Sequence, residues 1–192
     1  MILSFSQKWP ASMGEWAGEP NYFIYKIWEH LFDQVDFKEF AACASDHLLR
    51  FGNHWDIPVD TVKPKLHTIR HDPHDRWKPG MKIHPVINNR TKNYFQFAPE
   101  FLCVSTQQVD IIDSAYTKDY AGISIEYSHR HKDGGVEEYV KHWEVVVDGV
   151  SLKSTQIEEL AVNDGFDSVE QFFTWFNAPM RYKLIHWTSM RY

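Results

Sequence analysis

From Leu66 onward, short apolar runs are separated by tight-turn dipeptides, and this punctuation constrains the fold more than any other feature of the 192 residues. Pro79-Gly80 separates Leu66–Arg70 from Met81–Ile87, and Asn88-Asn89 precedes Tyr94–Phe97 and Leu102–Ile112. Asp133-Gly134-Gly135 lies between Ile123–His129 and Tyr139–Val147, which Asp148-Gly149 ends. Gly, Asn and Asp accept the left-handed backbone of hairpin turns, so such pairs between β-branched and aromatic runs read as antiparallel hairpins. Five or more short strands joined this way favour a small closed or nearly closed sheet over a parallel α/β sheet, whose crossovers need about a dozen residues or more. The expectation is an α+β fold: a small mixed or antiparallel β-barrel with peripheral helices.

Helical spacing appears on both sides of this region. Ile2, Leu3 and Phe5 suit a short opening strand, after which Phe23, Ile24, Ile27, Trp28 and Leu31 predict a helix from Asn21, its N-cap, to about Gln34. A second helix starts at Asp36 with Glu39 as capping-box partner and stops at Gly52. Together these make a helical elaboration at about 21–55. Near the end, Thr155 with Glu158 and Ser168 with Gln171 make two further capping boxes, Gly165 closes the first of these helices, and Tyr182–Trp187 returns as a strand.

A chain of this length, with 8 Trp and 13 Phe, carries one well-buried core, so residues 1–192 read as a single domain. Cys43 and Cys103 are too few for a disulfide framework or a thiolate zinc site. The first ten residues lack the pattern of a signal peptide, and no run approaches the roughly 18 apolar residues of a membrane span. The expected setting is cytoplasmic, away from the membrane. Net charge is −6, but residues 63–92 hold 8 Lys/Arg against 2 acids, leaving 12 bases and 24 acids elsewhere. A positive stretch in a negative body suits either one locally held anionic ligand or a solvated basic hairpin.

Within that stretch, Lys65-Leu66-His67-Thr68-Ile69-Arg70 places an amine, a hydroxyl and a guanidinium close together. A lysine can serve as base to a hydroxyl nucleophile. Residues i and i+3 of a strand face opposite ways, so Lys65 and Thr68 converge only if Lys65 lies on a loop entering the strand. Asp164 falls at the C-terminal end of a helix, where the macrodipole disfavours an anion by ~0.3–1 kcal/mol. Its compensation comes either from Lys65 or from backbone N–H groups of the Asn163–Asp167 turn.

Four segments in order resemble the ASCH domain family of the PUA-like superfamily: Lys65-x-x-Thr68-Ile69-Arg70, Arg76-Trp77-Lys78-Pro79-Gly80-Met81-Lys82-Ile83, Ala161-Val162-Asn163-Asp164-Gly165-Phe166 with Glu170-Gln171-Phe172, and Lys183-Leu184-Ile185-His186-Trp187. The resemblance covers about 1–10 and 62–190. It implies a small β-barrel with a cleft that binds RNA, a modified base or a nucleoside. One branch, the N4-acetylcytidine amidohydrolases, removes an acetyl group with a lysine, a threonine and a glutamate. By motif position Lys65 and Thr68 take the first two roles, and Asp164, one methylene shorter, takes the third. The resemblance then implies that Lys65 is the base, that Thr68 attacks the amide carbonyl, and that Asp164 orients Lys65 or relays a proton. Arg70, Arg76, Trp77 and Phe5 are the expected substrate contacts, Arg70 also helping to lower the Lys65 pKa.

Competing readings keep the same residues. Thr68 also suits a plain strand position with Arg70 paired to Asp72 or Asp75. The barrel also serves as a non-catalytic RNA-binding or regulatory module, or as a protein-interaction adaptor through its helical elaboration. His71, His74, Asp72 and Asp75 match no standard zinc spacing, and no Gly-x-Ser-x-Gly elbow, phosphate loop or dinucleotide fingerprint occurs, so neither a metal nor a cofactor is expected.

Overall fold

The computed structural model describes residues 1–60, 62–114, 122–130 and 135–192. In chain order the elements are β1 (Ile2–Ser4), a 3-10 helix (Ala11–Trp16), α1 (Phe23–Leu31), α2 (Phe37–Phe51), β2 (His67–Arg70), β3 (Lys82–Ile87), β4 (Phe95–Gln96), β5 (Phe101–Leu102), β6 (Ser105–Ser114), β7 (Ile123–Arg130), β8 (Val136–Val147), β9 (Val150–Ser151), α3 (Ser154–Asn163), α4 (Val169–Trp175) and β10 (Met180–His186). The strands form two sheets. One is a curled antiparallel half-barrel in the order β2-β10-β6-β8-β7, with β9 on β8; the other pairs β1 in parallel with β3, which also carries β4 and β5. The fold is therefore mixed α+β, and its curled sheet is a half-barrel where a closed or nearly closed one was expected.

Turn chemistry places the β3–β4 and β8–β9 hairpins as the punctuation implies, but Pro79-Gly80 makes no hairpin, since β2 pairs with β10 and β3 belongs to the other sheet. Gly80 and Gly149 take positive φ (84° and 86°), conformations that cost other residues more than glycine. Strands β7 and β8 pair antiparallel from Ile123↔Trp143 to Arg130↔Val136, whereas Asp133 and Gly134 of the expected turn lie outside the described residues. The single expected strand Leu102–Ile112 is two: Cys103 and Val104 turn between β5 and β6, where Cys103 donates its N–H to Met81 O and Val104 donates to His186 O. Those two bonds point to different sheets, so this short corner stitches them together.

The helices also deviate in detail. Asn21 caps α1 from one position further out than expected, its side chain accepting the Phe23 N–H at 3.1 Å while Tyr22 occupies the left-handed N-cap position. Asp36 caps α2 through Lys38 N–H at 2.9 Å, and Gly52 ends it in the left-handed region. For α3 the reciprocal bond is Gln156 Oε1 accepting the Lys153 N–H, in place of the Thr155–Glu158 pair, because the N-cap lies two residues earlier than expected. Ser168 accepts Gln171 N–H at 3.2 Å as its spacing suggests.

A contiguous core joins the layers, with Ile27, Trp28, Ile83, Ile87, Val109, Val145, Trp143, Phe172 and Phe173 fully enclosed. Helix α1 buries almost its whole surface, including Lys26, whereas α2 buries only His47 and leaves Phe37 and Leu49 exposed (66% and 84%). No helix among the described residues is long and apolar enough to cross a membrane.

Candidate functional site

Lys65 sits on the loop that enters β2, as convergence with Thr68 requires. Its backbone is fixed at two atoms: N–H donates to Lys26 O at 2.9 Å, and its carbonyl accepts the Trp187 indole N–H at 3.2 Å. The next residue, Leu66, donates to Asn163 O at 2.8 Å, which brings the end of α3 alongside. Along β2 side chains alternate, so Thr68 and Arg70 share one face. These residues meet Asp164 at a cavity of about 130 Å³, whose remaining walls are Ser6, Phe23, Phe166, Trp175 and Phe176 beside the Ile69 backbone segment.

The buried ion pair is the chemical centre of the cavity. Lys65 Nζ donates to Asp164 Oδ1 at 2.7 Å and also to the Asp164 carbonyl oxygen. Asp164 Oδ1 accepts the Ile69 N–H at 3.2 Å as well, and His67 Nδ1 lies 3.7 Å away. Of the two compensations open to Asp164, the lysine supplies the charge, and the N–H comes from β2 rather than from the Asn163–Asp167 turn. Lys65 and Asp164 are 1% and 2% exposed.

Burial pushes the Lys65 ammonium down to about 8, since a charge loses hydration there; Asp164 opposes the shift, and Arg70 and Lys26 add to it. Burial pushes the Asp164 carboxyl up, but Lys65 and then His67 outweigh it and hold the group below its ordinary value. At pH 7 a lysine of pKa about 8 is unprotonated for roughly a tenth of the time, against less than about one part in a thousand at an ordinary lysine pKa.

Thr68 is 3% exposed and lines the cavity, and among the described residues its hydroxyl has no hydrogen-bond partner. Arg70 places its guanidinium 5.1 Å over the Phe5 ring and donates to Ser4 O at 2.9 Å, while its Nε is buried without a partner. Asp72 and Asp75 are engaged elsewhere: Asp72 accepts Trp77 N–H and contacts Arg76 and Lys183, and Asp75 pairs with Lys78 and Lys183. The Arg70 pairing with either aspartate is thereby replaced by a backbone contact. Since the Lys65 and Asp164 charges offset each other, Arg70 leaves the cavity wall cationic.

The other expected contacts occupy different places. Phe5 is a second layer behind Arg70, packed edge-on against Phe97 and Trp187. Trp77 is buried and Arg76 is 63% exposed beside Asp72, and neither lines this cavity. The aromatic walls come instead from Phe23, Phe166, Trp175 and Phe176, whose sequence signal was only helical periodicity or a turn. His67, inside the Lys65–Arg70 run, does not line the cavity but approaches the Asp164 carboxylate at 3.7 Å. Its Nε2 contacts the Tyr192 hydroxyl at 3.0 Å, and Tyr192 also accepts from Asn163.

Compared with known proteins, the chain matches no family model, no curated protein and no solved structure.

Proposed function

We propose that the cavity holds a single planar ring bearing an acylated amine and hydrolyses that amide, in the manner of the ASCH and PUA-like amidohydrolases that the Lys65–Arg70 motif resembles. A volume of about 130 Å³ is close to the roughly 150 Å³ of cavities known to hold one benzene-sized ring, and aromatic walls suit a base. The observation that carries the reading is Thr68, whose hydroxyl has no hydrogen-bond partner among the described residues, lining the same small cavity as a lysine whose pKa is brought to about 8. The neutral Lys65 amine removes the Thr68 proton as Oγ1 bonds to the amide carbonyl carbon. The C–N bond then breaks, the proton from Lys65 passes to the departing amine, and water hydrolyses the resulting threonine ester to release the acid. Asp164 orients Lys65 in this scheme, because both its side-chain oxygen and its carbonyl already hold the ammonium. Arg70 is placed to receive a carbonyl oxygen of the ring or of the tetrahedral intermediate.

The substrate class follows from the resemblance: N4-acylated cytidine, free or within RNA, in a cytoplasmic setting. Incubation with N4-acetylcytidine tests this directly. Release of cytidine, reduced at least 100-fold in Thr68→Val, which keeps the strand packing but lacks the hydroxyl, supports the enzyme. The rate should rise with pH to a plateau above an apparent pKa near 8. An inert wild type that nonetheless binds the nucleoside leaves the non-catalytic module, a reading favoured by the completeness of the Lys65–Asp164 contact. For RNA, affinity falling steeply with salt marks several phosphate contacts. The adaptor reading retains only α2, where Phe37 and Leu49 face outward.

A further inference from the structure

We propose that Lys26 is a positioning residue for the Lys65–Asp164 pair, which makes α1 of the helical elaboration a working part of the site. The inference rests on the cavity being the reactive site, although its test needs no substrate.

Lys26 touches both segments that deliver the pair. Its carbonyl accepts the Lys65 N–H at 2.9 Å. Its ammonium donates to Gly165 O at 2.8 Å, in the residue after Asp164, and to Asp167 Oδ1 at 2.6 Å. One residue thus joins two pieces of chain about 100 positions apart in sequence. It is 2% exposed, and a lysine is seldom enclosed unless paired. The same helix adds Phe23, whose ring lies 4.7 Å from Lys65 Nζ. There is little slack in the arrangement: at Gly165, φ is +91°, and an added Cβ would come 3.0 Å from the Phe23 ring and 3.2 Å from Lys65 Cδ. A clamp at Gly165 O therefore sets where the Asp164 carbonyl and carboxylate meet the Lys65 ammonium.

A merely structural lysine would stabilise the whole domain without governing Lys65 in particular. Three variants and two substrate-free readouts distinguish the cases: amide hydrogen exchange, and pH titration of the Lys65 side chain by NMR. In Lys26→Met the Ile69 amide, which reports the Asp164 contact, should exchange at least tenfold faster while Val109 and Val145 in the β6–β8 core keep their rates. The Lys65 titration should move up from about 8, because a nearby positive charge is lost and the pocket loosens. Lys26→Arg, which retains charge and donors, should restore both. Asp167 is 67% exposed on its side chain, so Asp167→Asn provides a variant that folds irrespective of the other two. It weakens the clamp from outside and should speed Ile69 exchange about threefold. Equal acceleration of Ile69 and the core amides, or no change at Ile69 in Asp167→Asn with an unmoved Lys65 titration, would overturn the proposal. Failure of N4-acetylcytidine hydrolysis would leave these readouts unaffected and would bear on the proposed reaction alone.

Discussion

Among the lysine–aspartate contacts of the described residues, two clusters have similar composition and contrasting settings. In the cavity, Lys65 and Asp164 are enclosed and the lysine is pushed toward neutrality; on the outer side of β10, Lys183, Asp72, Asp75, Lys78 and Arg76 form an ion network at an open groove. Lys78 and Asp75 are 57% and 62% exposed on their side chains. Hydration keeps the Lys78 and Asp75 charges ordinary, although Asp72 and Lys183 in the same network are 1% and 13% exposed on their side chains, and loss of hydration pushes Lys65 toward neutrality in the cavity. The contrast teaches that the net basic stretch at 63–92 is no single surface: Lys65 and Arg70 line the cavity, while Arg76, Lys78 and Lys82 answer local acids.

The largest effect comes from breaking the enclosed pair. Lys65→Met leaves the Asp164 carboxylate buried without its ammonium and should cost about 3–5 kcal/mol in urea unfolding, with most of that recovered in Lys65→Met/Asp164→Asn. A single variant as stable as wild type would erase the distinction between the clusters. Gly165→Ala comes next, at about 2–4 kcal/mol, since it combines positive φ with a 3.0 Å approach to Phe23; calorimetry checks it.

Acid sharpens the comparison at the back of the cavity. Burial pushes His186 down to about 3, with His67 adding to the shift. Below the ordinary histidine value near 6.5 the unfolded chain takes up a proton that folded His186 refuses, so stability declines as pH falls from about 6.5 toward 3, by about 1.4 kcal/mol per pH unit. His186→Asn should flatten that slope between pH 6 and 4.5, measured by urea midpoints. The smallest effect is expected outside: Lys78→Ala should change stability by no more than about 0.5 kcal/mol and lose even that in high salt.

How far the sequence discloses these features depends on whether the determining contacts are local. Turn glycines, the Asp36 and Ser168 caps and the placement of Lys65 ahead of its strand follow from a few neighbouring residues, and the structure has them. The α3 cap shifted because Gln156 reaches back to a residue that carries no capping side chain of its own. Lys26 was invisible as a site residue: on a helix it reads as polar-face decoration, and only the return of Gly165 and Asp167 from about 140 residues later buries it. The same holds for Trp175 and Phe176, which periodicity assigns to packing without saying which cavity they enclose. Trp77 illustrates the converse, since its adjacency to the motif in sequence gave it a role that its burial outside the cavity does not support.

The β2 edge has a consequence for how the chain reaches this state. Among the described residues β2 pairs in its sheet only with β10, from Lys183↔Arg70 to His186↔His67, so its ladder closes a loop of more than 110 residues. Such distant partners meet late, because the entropy of a long closure is lost before any contact rewards it. During vectorial synthesis β2 must wait for β10 to emerge, so the cavity is assembled only after β6, β7 and β8 have been made.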